Sequence, residues 1–280
     1  LDGVRFAVTG ATGWLGRAAC EVLAGGHLQA FASRARTLEL DAGVTLDVRP
    51  LEELAGAEFD VLLHYAYVTR ELIGDDVEAY IAANVAITDL VLGAVARARP
   101  RAVVFASSGA AVAGDDPYGT LKARDELAFR HAAADAGGRA LVLRVYNVAG
   151  PWIRKPEAFA LSDLVRQARA GGPLVIRAQR PVLRSYVDVE DLAHVAVGWA
   201  LDSAAGDDLL VETAGDEAIE LSDLAARVAR VLGIPDMPIE RSWDPTAPPD
   251  RYIGDATALT TLASHLGIPL RTLDEQITRT

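Results

Sequence analysis

The stretch Val4-Arg5-Phe6-Ala7-Val8-Thr9-Gly10-Ala11-Thr12-Gly13-Trp14-Leu15-Gly16 decides the fold. A short apolar run ends in three glycines spaced by three, and a helical pattern, Arg17–Ala24, follows at once. Glycine at 10 allows a tight turn, glycine at 13 lets a backbone approach a pyrophosphate, and glycine at 16 lets the helix pack closely on the strand. The opening turn of the helix then offers N–H donors and the positive end of a dipole. A glycine trio alone is weak evidence, and its plainer reading is a structural turn. This one stands at the first strand-to-helix junction, where a dinucleotide site requires it. Gly10, Thr12, Gly13, Trp14, Leu15 and Gly16 are therefore expected to hold a dinucleotide.

Working outward, short β-branched runs alternate with longer helical patterns. Val4–Val8, Leu28–Ala32, Val61–His64, Ala102–Ala106 and Ala140–Tyr146 read as strands; Arg17–Ala24, Glu78–Arg97 and Tyr118–Ala136 read as helices. Such alternation predicts an α/β fold, a Rossmann-type doubly wound parallel sheet covered on both faces. After Gly150-Pro151 the chain is broken by prolines and by Gly171-Gly172-Pro173. Residues 1–150 are expected to form the dinucleotide-binding domain, joined by elements of 182–215. Residues 151–280 are expected to form mainly a smaller C-terminal substrate-binding lobe. Within it Asp188–Leu201 and Leu221–Leu232 read as helices, Leu209–Thr213 as a strand, and 235–249, with five prolines, as a loop.

The cofactor can be read further. The position about 20 residues past the middle glycine meets the adenine ribose. It is Ser33, followed by Arg34 and Arg36. An acidic side chain there would accept from an NAD ribose; serine with arginine suits a 2′-phosphate, onto which a guanidinium forks. NADP is favoured over NAD on this ground, the plainer reading being a solvated loop. Asp47, with Val48 beside it, comes after a third strand and could meet the adenine, the plainer reading being a loop aspartate.

Tyr118 and Lys122 are four apart on a predicted helix and share a face. The chain carries 27 lysines and arginines, of which only Lys122 and Lys155 are lysine. A compact ammonium can reach a ribose hydroxyl and lower a neighbouring phenol's pKa. A phenol so tuned exchanges a proton with an alcohol or ketone while hydride moves to or from a nicotinamide. Ser107 and Ser108, at the end of the Ala102–Ala106 strand, are placed to hold the same oxygen. His64 reads as a packed residue, and Asn84 as a buried amide in need of partners.

Composition sets limits. The formal net charge is −12 over 280 residues, with 51% hydrophobic and 24% charged. Without a basic footprint, nucleic acid is a poor partner. The five histidines show no metal-ligand spacing, so no metal is expected. The apolar run Tyr80–Val95 is interrupted by Asn84 and Asp89, so no membrane association is expected. A single cysteine, Cys20, excludes an internal disulfide and fits a reducing, cytoplasmic setting.

Taken together, these segments resemble the extended short-chain dehydrogenase/reductase family, in its nucleotide-sugar epimerase, dehydratase and ketoreductase branch. The resemblance covers nearly the whole chain. Thr-Gly-x-x-Gly-x-x-Gly stands at 9–16, and Val61–Ala66 looks like the family's fourth strand, with Ala66 expected beside the cofactor. Asn84, Ser107-Ser108-Gly109 and Tyr118-x-x-x-Lys122 fall at the family's site positions. Leu143-Arg144-Val145-Tyr146-Asn147-Val148-Ala149-Gly150-Pro151 resembles the segment closing on the nicotinamide and the substrate, which implies cofactor contact for Val148 and substrate contact for Asn147. Arg184–Asp191 resembles a segment whose arginine meets the substrate diphosphate, and Arg251-Tyr252-Ile253-Gly254-Asp255 resembles the C-terminal signature, with Arg251 a second phosphate ligand. The family also implies a homodimer through the helices Glu78–Arg97 and Tyr118–Ala136.

Three departures stand out. The stretch from Ser108 to Tyr118 is much shorter than usual, the family's Tyr-Gly is here Ala113-Gly114, and the family's catalytic hydroxyl can be aligned with Gly109. Family members that recycle their cofactor usually carry an acidic residue at the Ser33 position. The expected function is NADPH-dependent reduction of a nucleotide-linked keto sugar, with Tyr118 as proton donor, Lys122 its partner and Ser108 on the carbonyl. The rivals are a redox-neutral epimerase or dehydratase holding NAD, a reductase of small aldehydes or ketones, and a non-catalytic NADP-binding regulator.

Overall fold

The computed structural model describes residues 3–69, 76–114 and 116–280. Its centre is an eight-stranded sheet. In chain order its first seven strands are β1 (Arg5–Thr9), β2 (His27–Ala32), β3 (Arg36–Glu39), β4 (Thr45–Pro50), β5 (Val61–His64), β6 (Ala102–Ser108) and β7 (Arg139–Val145). The spatial order is Asp208–Thr213, β7, β6, β5, β1, β2, β4, β3. Every neighbouring pair is parallel except β3 with β4. Burial on both faces explains why Val61-Leu62-Leu63 and Val103-Val104-Phe105 are apolar without alternation.

Two apolar layers flank the sheet. On one side helix Val189–Leu201, with buried Trp199, packs with helix Trp14–Val22. On the other, helices Val77–Ala98 and Pro117–Asp135, the latter through buried Phe129, cover Phe105 and Val142. A separate core forms the second lobe, where Leu161, Leu164, Tyr186, Leu224 and Ile277 meet. The chain returns from that lobe to the main sheet through Asp208–Thr213, which extends β7.

The hairpin β3–β4 was not legible, because Arg36-Thr37-Leu38-Glu39 is nearly all exposed and an edge strand need not be apolar. It corrects one expectation. Asp47 comes after β3 but not in a loop; it lies within β4, exposed and opposite Thr37, while Val48 beside it is buried in the core.

By length and composition alone, helix Val77–Ala98 could cross a membrane. In the fold it lies along Pro117–Asp135 and buries two polar residues with partners, Asn84 and Thr88. It also leaves Val77 and Ile81 exposed.

Candidate active site

β1 is where the sheet order reverses, with β2 on one side and β5 on the other. Ligands of open α/β sheets bind beyond the carboxyl ends of the strands at such a point. The glycine turn occupies that point. Gly10 has φ of 69°, and a Cβ there would stand 2.7 Å from the Ala66 nitrogen. A Cβ on Gly16 would overlap the Gly10 carbonyl. The turn is thus folded on itself and against the chain leaving β5. Helix Trp14–Val22 begins without a side-chain cap, so its first N–H groups remain available to an anion. Trp14 Nε1 donates to the Pro151 carbonyl at 2.6 Å and ties the second lobe to the turn.

Ser33 and Arg34 follow β2 and are exposed, and neither Arg34 nor Arg36 has an ion pair among the described residues. Beside the turn lies a cleft of about 340 Å³, lined by Thr12, Arg17, Arg36, Leu38, Trp152 and Arg154. Of its three arginines, Arg17 is paired with Glu21 and with Asp41 at 3.1 Å, so the cationic character of the cleft rests on Arg36 and Arg154, which have no ion pair among the described residues.

Helix Pro117–Asp135 brings Tyr118 and Lys122 to the end of β6. Asp116 caps it by accepting from Gly119 N at 2.6 Å, and Pro117 occupies its first turn. Lys122 is buried; its Nζ donates to the Ala106 carbonyl at 2.8 Å and lies 3.8 Å from the centre of the Tyr67 ring. Burial pushes its ammonium down to about 7, although Asp125 and Glu126 pull upward. Tyr118 meets Tyr67 edge-on at 5.6 Å. Contrary to the lowering expected from Lys122, burial lifts its phenol above the usual value, and a hydrogen bond with Ser108 opposes that lift. Tyr118, Ser108 and Lys122 therefore converge in one place.

Other predicted residues are placed differently. Ser107 and Ser108 are consecutive on a strand and point to opposite faces. Ser107 donates to Glu126 Oε1 at 2.6 Å, a carboxylate also held by Arg144, so it serves a buried charge network rather than the cleft. Asn84 accepts from Val68 N at 2.9 Å and donates to the carbonyls of Val68 and Tyr80, which fixes the segment after β5 and commits both amide protons. Asn147 donates through Nδ2 to the carbonyls of Ser185 and Tyr252. Arg184 already has an anion, Asp250, at 2.9 Å. Arg251 is exposed one position before Tyr252, and Val148 is buried in a short pairing with Val187. His64 is packed between Phe105 and Phe129, bonded to Thr9 Oγ1 at 2.6 Å, and burial pushes it down to about 3, so it is neutral.

Sequence reasoning missed Glu126, Asp125 and Tyr252. Glu126 stands one helical turn beyond Lys122, a spacing that could have marked it. Tyr252 lies far along the chain, and nothing local signals its approach to Ser108.

The model of one family, described as NAD dependent epimerase/dehydratase family, matches residues 6–210. The chain belongs to the NAD-dependent epimerase/dehydratase family. Membership makes it a nicotinamide-dependent enzyme and accounts for the glycine turn and the tyrosine–lysine pair in one chain. No curated protein matches it. Among solved structures it is similar to a UDP-N-acetylglucosamine 4-epimerase from Methanobrevibacter ruminantium M1 in complex with UDP-N-acetylmuramic acid. That pair has 17% identity, a TM-score of 0.81, and coverage of 100% of this chain and 97% of the other. A UDP-glucose 4-epimerase from Brucella ovis in complex with NAD matches at 21% identity and a TM-score of 0.78, covering 99% and 97%. That of Thermus thermophilus, also with NAD, matches at 20% and 0.74, covering 99% and 97%. At these identities the likeness is one of fold, which this member of the family keeps through both lobes.

Proposed function

We propose that the protein reduces a keto group on a nucleotide-linked sugar, with NADPH as the hydride source. The observation that carries the reading is the convergence of Tyr118, Lys122 and Ser108 at the end of β6, two strands from the glycine turn. The residues fit a dinucleotide: the turn admits no Cβ at Gly10 or Gly16, and the helix behind it is uncapped. Gly10, Thr12, Gly13 and the first N–H groups of the helix would hold the pyrophosphate, with Ser33, Arg34 and Arg36 toward the adenosine end. A bound nicotinamide supplies the hydride.

The chain's own residues do the rest. Tyr118 is a phenol with a raised pKa, which keeps its proton at neutral pH and suits an acid. It gives that proton to the carbonyl oxygen as the carbon is reduced. Lys122, buried and bonded to the β6 end, balances the charge left on the phenol oxygen. Ser108 donates a hydrogen bond to the same oxygen. Arg251 is exposed and has no ion pair among the described residues, so it would meet a substrate phosphate; Arg184 would have to exchange Asp250 for one.

A second reading has its own support. The similar structures from Brucella ovis and Thermus thermophilus are epimerases in complex with NAD. An epimerase would use Tyr118 in both directions and keep its cofactor. Denaturing the freshly purified protein and identifying any released nucleotide separates the two. Near-stoichiometric NAD supports the epimerase. An empty protein that binds NADPH well and NADH poorly supports the reductase.

We also propose a homodimer. Helices Val77–Ala98 and Pro117–Asp135 lie side by side, and Val77, Ile81 and Leu127 are exposed on them. A second copy of the same pair would cover them.

A further inference from the structure

Ser108 is met from the second lobe. Tyr252 Oη lies 3.0 Å from Ser108 Oγ, across 144 positions of chain. The phenol arrives on the strand Asp250–Tyr252, which runs parallel to Val182–Arg184. Its backbone is fixed, because Asn147 Nδ2 donates to the Tyr252 carbonyl at 2.9 Å. Its ring lies 4.8 Å from that of Tyr146.

Tyr146 explains why position 109 carries no side chain. A Cβ on Gly109 would stand 2.6 Å from Tyr146 Cδ1, and one on Gly254, at the other edge of the ring, 2.7 Å from Cε2. The ring fills the gap between two glycines, so no hydroxyl fits at 109 and the one at 108 must serve. A serine oxygen has one proton and two lone pairs. Ala110 N–H takes one lone pair, at 3.2 Å. Were Ser108 to give its proton to Tyr252, none would remain for a substrate oxygen. With Tyr252 as donor both lone pairs are filled, and the serine proton can only point toward Tyr118.

We infer that Tyr252 is a positioning residue: its phenol donates to Ser108 and locks the serine hydroxyl as a donor to the reacting oxygen beside Tyr118. The inference rests on the Tyr118 reading above and adds the second lobe to it. Ser108 is correctly set only when that lobe is docked, so lobe docking and the hydrogen bond on the reacting oxygen form together.

The test uses Tyr252→Phe, which keeps the ring against Tyr146, together with Ser108→Ala and the double variant. Steady-state turnover is measured over a panel of nucleotide-linked sugars and keto sugars. Tyr252→Phe should lower kcat about tenfold, the worth of one hydrogen bond, with KM within about twofold. In the Ser108→Ala background it should cost nothing further, as expected of two residues acting through one hydroxyl. A second readout needs no substrate: the pH-dependent phenolate absorbance that Tyr118→Phe removes. Tyr67, Tyr80, Asp116, Lys122 and Tyr252 all face that phenol or act on it. Its ionisation should move to higher pH in Ser108→Ala, and also in Tyr252→Phe, where release of the serine proton outweighs the loss of Tyr252's own raising effect on that phenol. Additive losses in the double variant, or a shift in Ser108→Ala with none in Tyr252→Phe, would overturn the inference. If the unaltered protein transforms no member of the panel, the functional reading fails, and the phenolate titration still decides the role of Tyr252.

Discussion

Lys122 joins the sequence reading to a measurable property. It is one of two lysines in the chain and is buried against the Ala106 carbonyl. Its pKa falls from an ordinary 10.5 to about 7 on folding. Between those values the unfolded chain binds the extra proton, so stability rises with pH through that window, by up to about 1.4 kcal/mol per pH unit for one proton. The buried tyrosines, such as Tyr186, whose phenol is raised, pull the other way only above pH 10. Chemical denaturation of the cofactor-free protein from pH 7 to 10 should show the rise, and Lys122→Met should flatten it. His64 acts at the acid end: neutral when folded, it favours unfolding as pH falls below about 6.5. Much of this scale was legible. The spacing of Tyr118 and Lys122 and the packed character of His64 needed only the neighbouring sequence. The orientations of Ser107, Asn84, Asn147 and Arg184 did not follow, because each is set by a partner distant in sequence: Glu126, Val68, Tyr252 and Asp250.

At the scale of elements, the glycine turn works by the absence of side chains. A methyl group at Gly16 would press on the Gly10 carbonyl, which is backbone and cannot swing aside. Gly16→Ala should therefore cost about 1–3 kcal/mol of stability by overpacking. It should also cost more in NAD(P)H affinity than in stability, because the turn itself must open. Parallel denaturation and cofactor titrations check both, and unchanged cofactor affinity would remove the turn from the binding site. The strands flanking this turn were readable because parallel strands are apolar on both faces. The β3–β4 hairpin was not, since edge strands carry the charge that keeps them soluble. Its Arg36 nonetheless lines the cleft beside Thr12 and Trp152. Arg36→Glu should weaken NADPH binding at least about tenfold, reversing one guanidinium–phosphate contact, while leaving NADH binding nearly unchanged. Equal loss for both cofactors would place Arg36 away from a 2′-phosphate.

At the scale of the molecule, two lobes meet over the carboxyl ends of the sheet. The contacts between them are specific: Trp14 with Pro151, Trp152 Nε1 with Asp41 at 3.0 Å, Tyr252 with Ser108. The apolar faces of Val77–Ala98 and Pro117–Asp135 lie on the flank away from helix Val189–Leu201, so a second copy there would leave both lobes free to act. Sedimentation should give a dimer, and Ile81→Glu with Leu127→Glu a monomer that still binds cofactor. The central claim is that this family member works at a sugar carbon through Tyr118. Its most direct test compares the unaltered protein with Tyr118→Phe on a panel of nucleotide-linked sugars and keto sugars. Nicotinamide absorbance and product mass are followed together. The account predicts turnover that falls about 100-fold or more in Tyr118→Phe, with cofactor affinity retained, as for loss of a general acid. Equal turnover in the two proteins, or a protein that binds cofactor and alters no sugar in the panel, would contradict it.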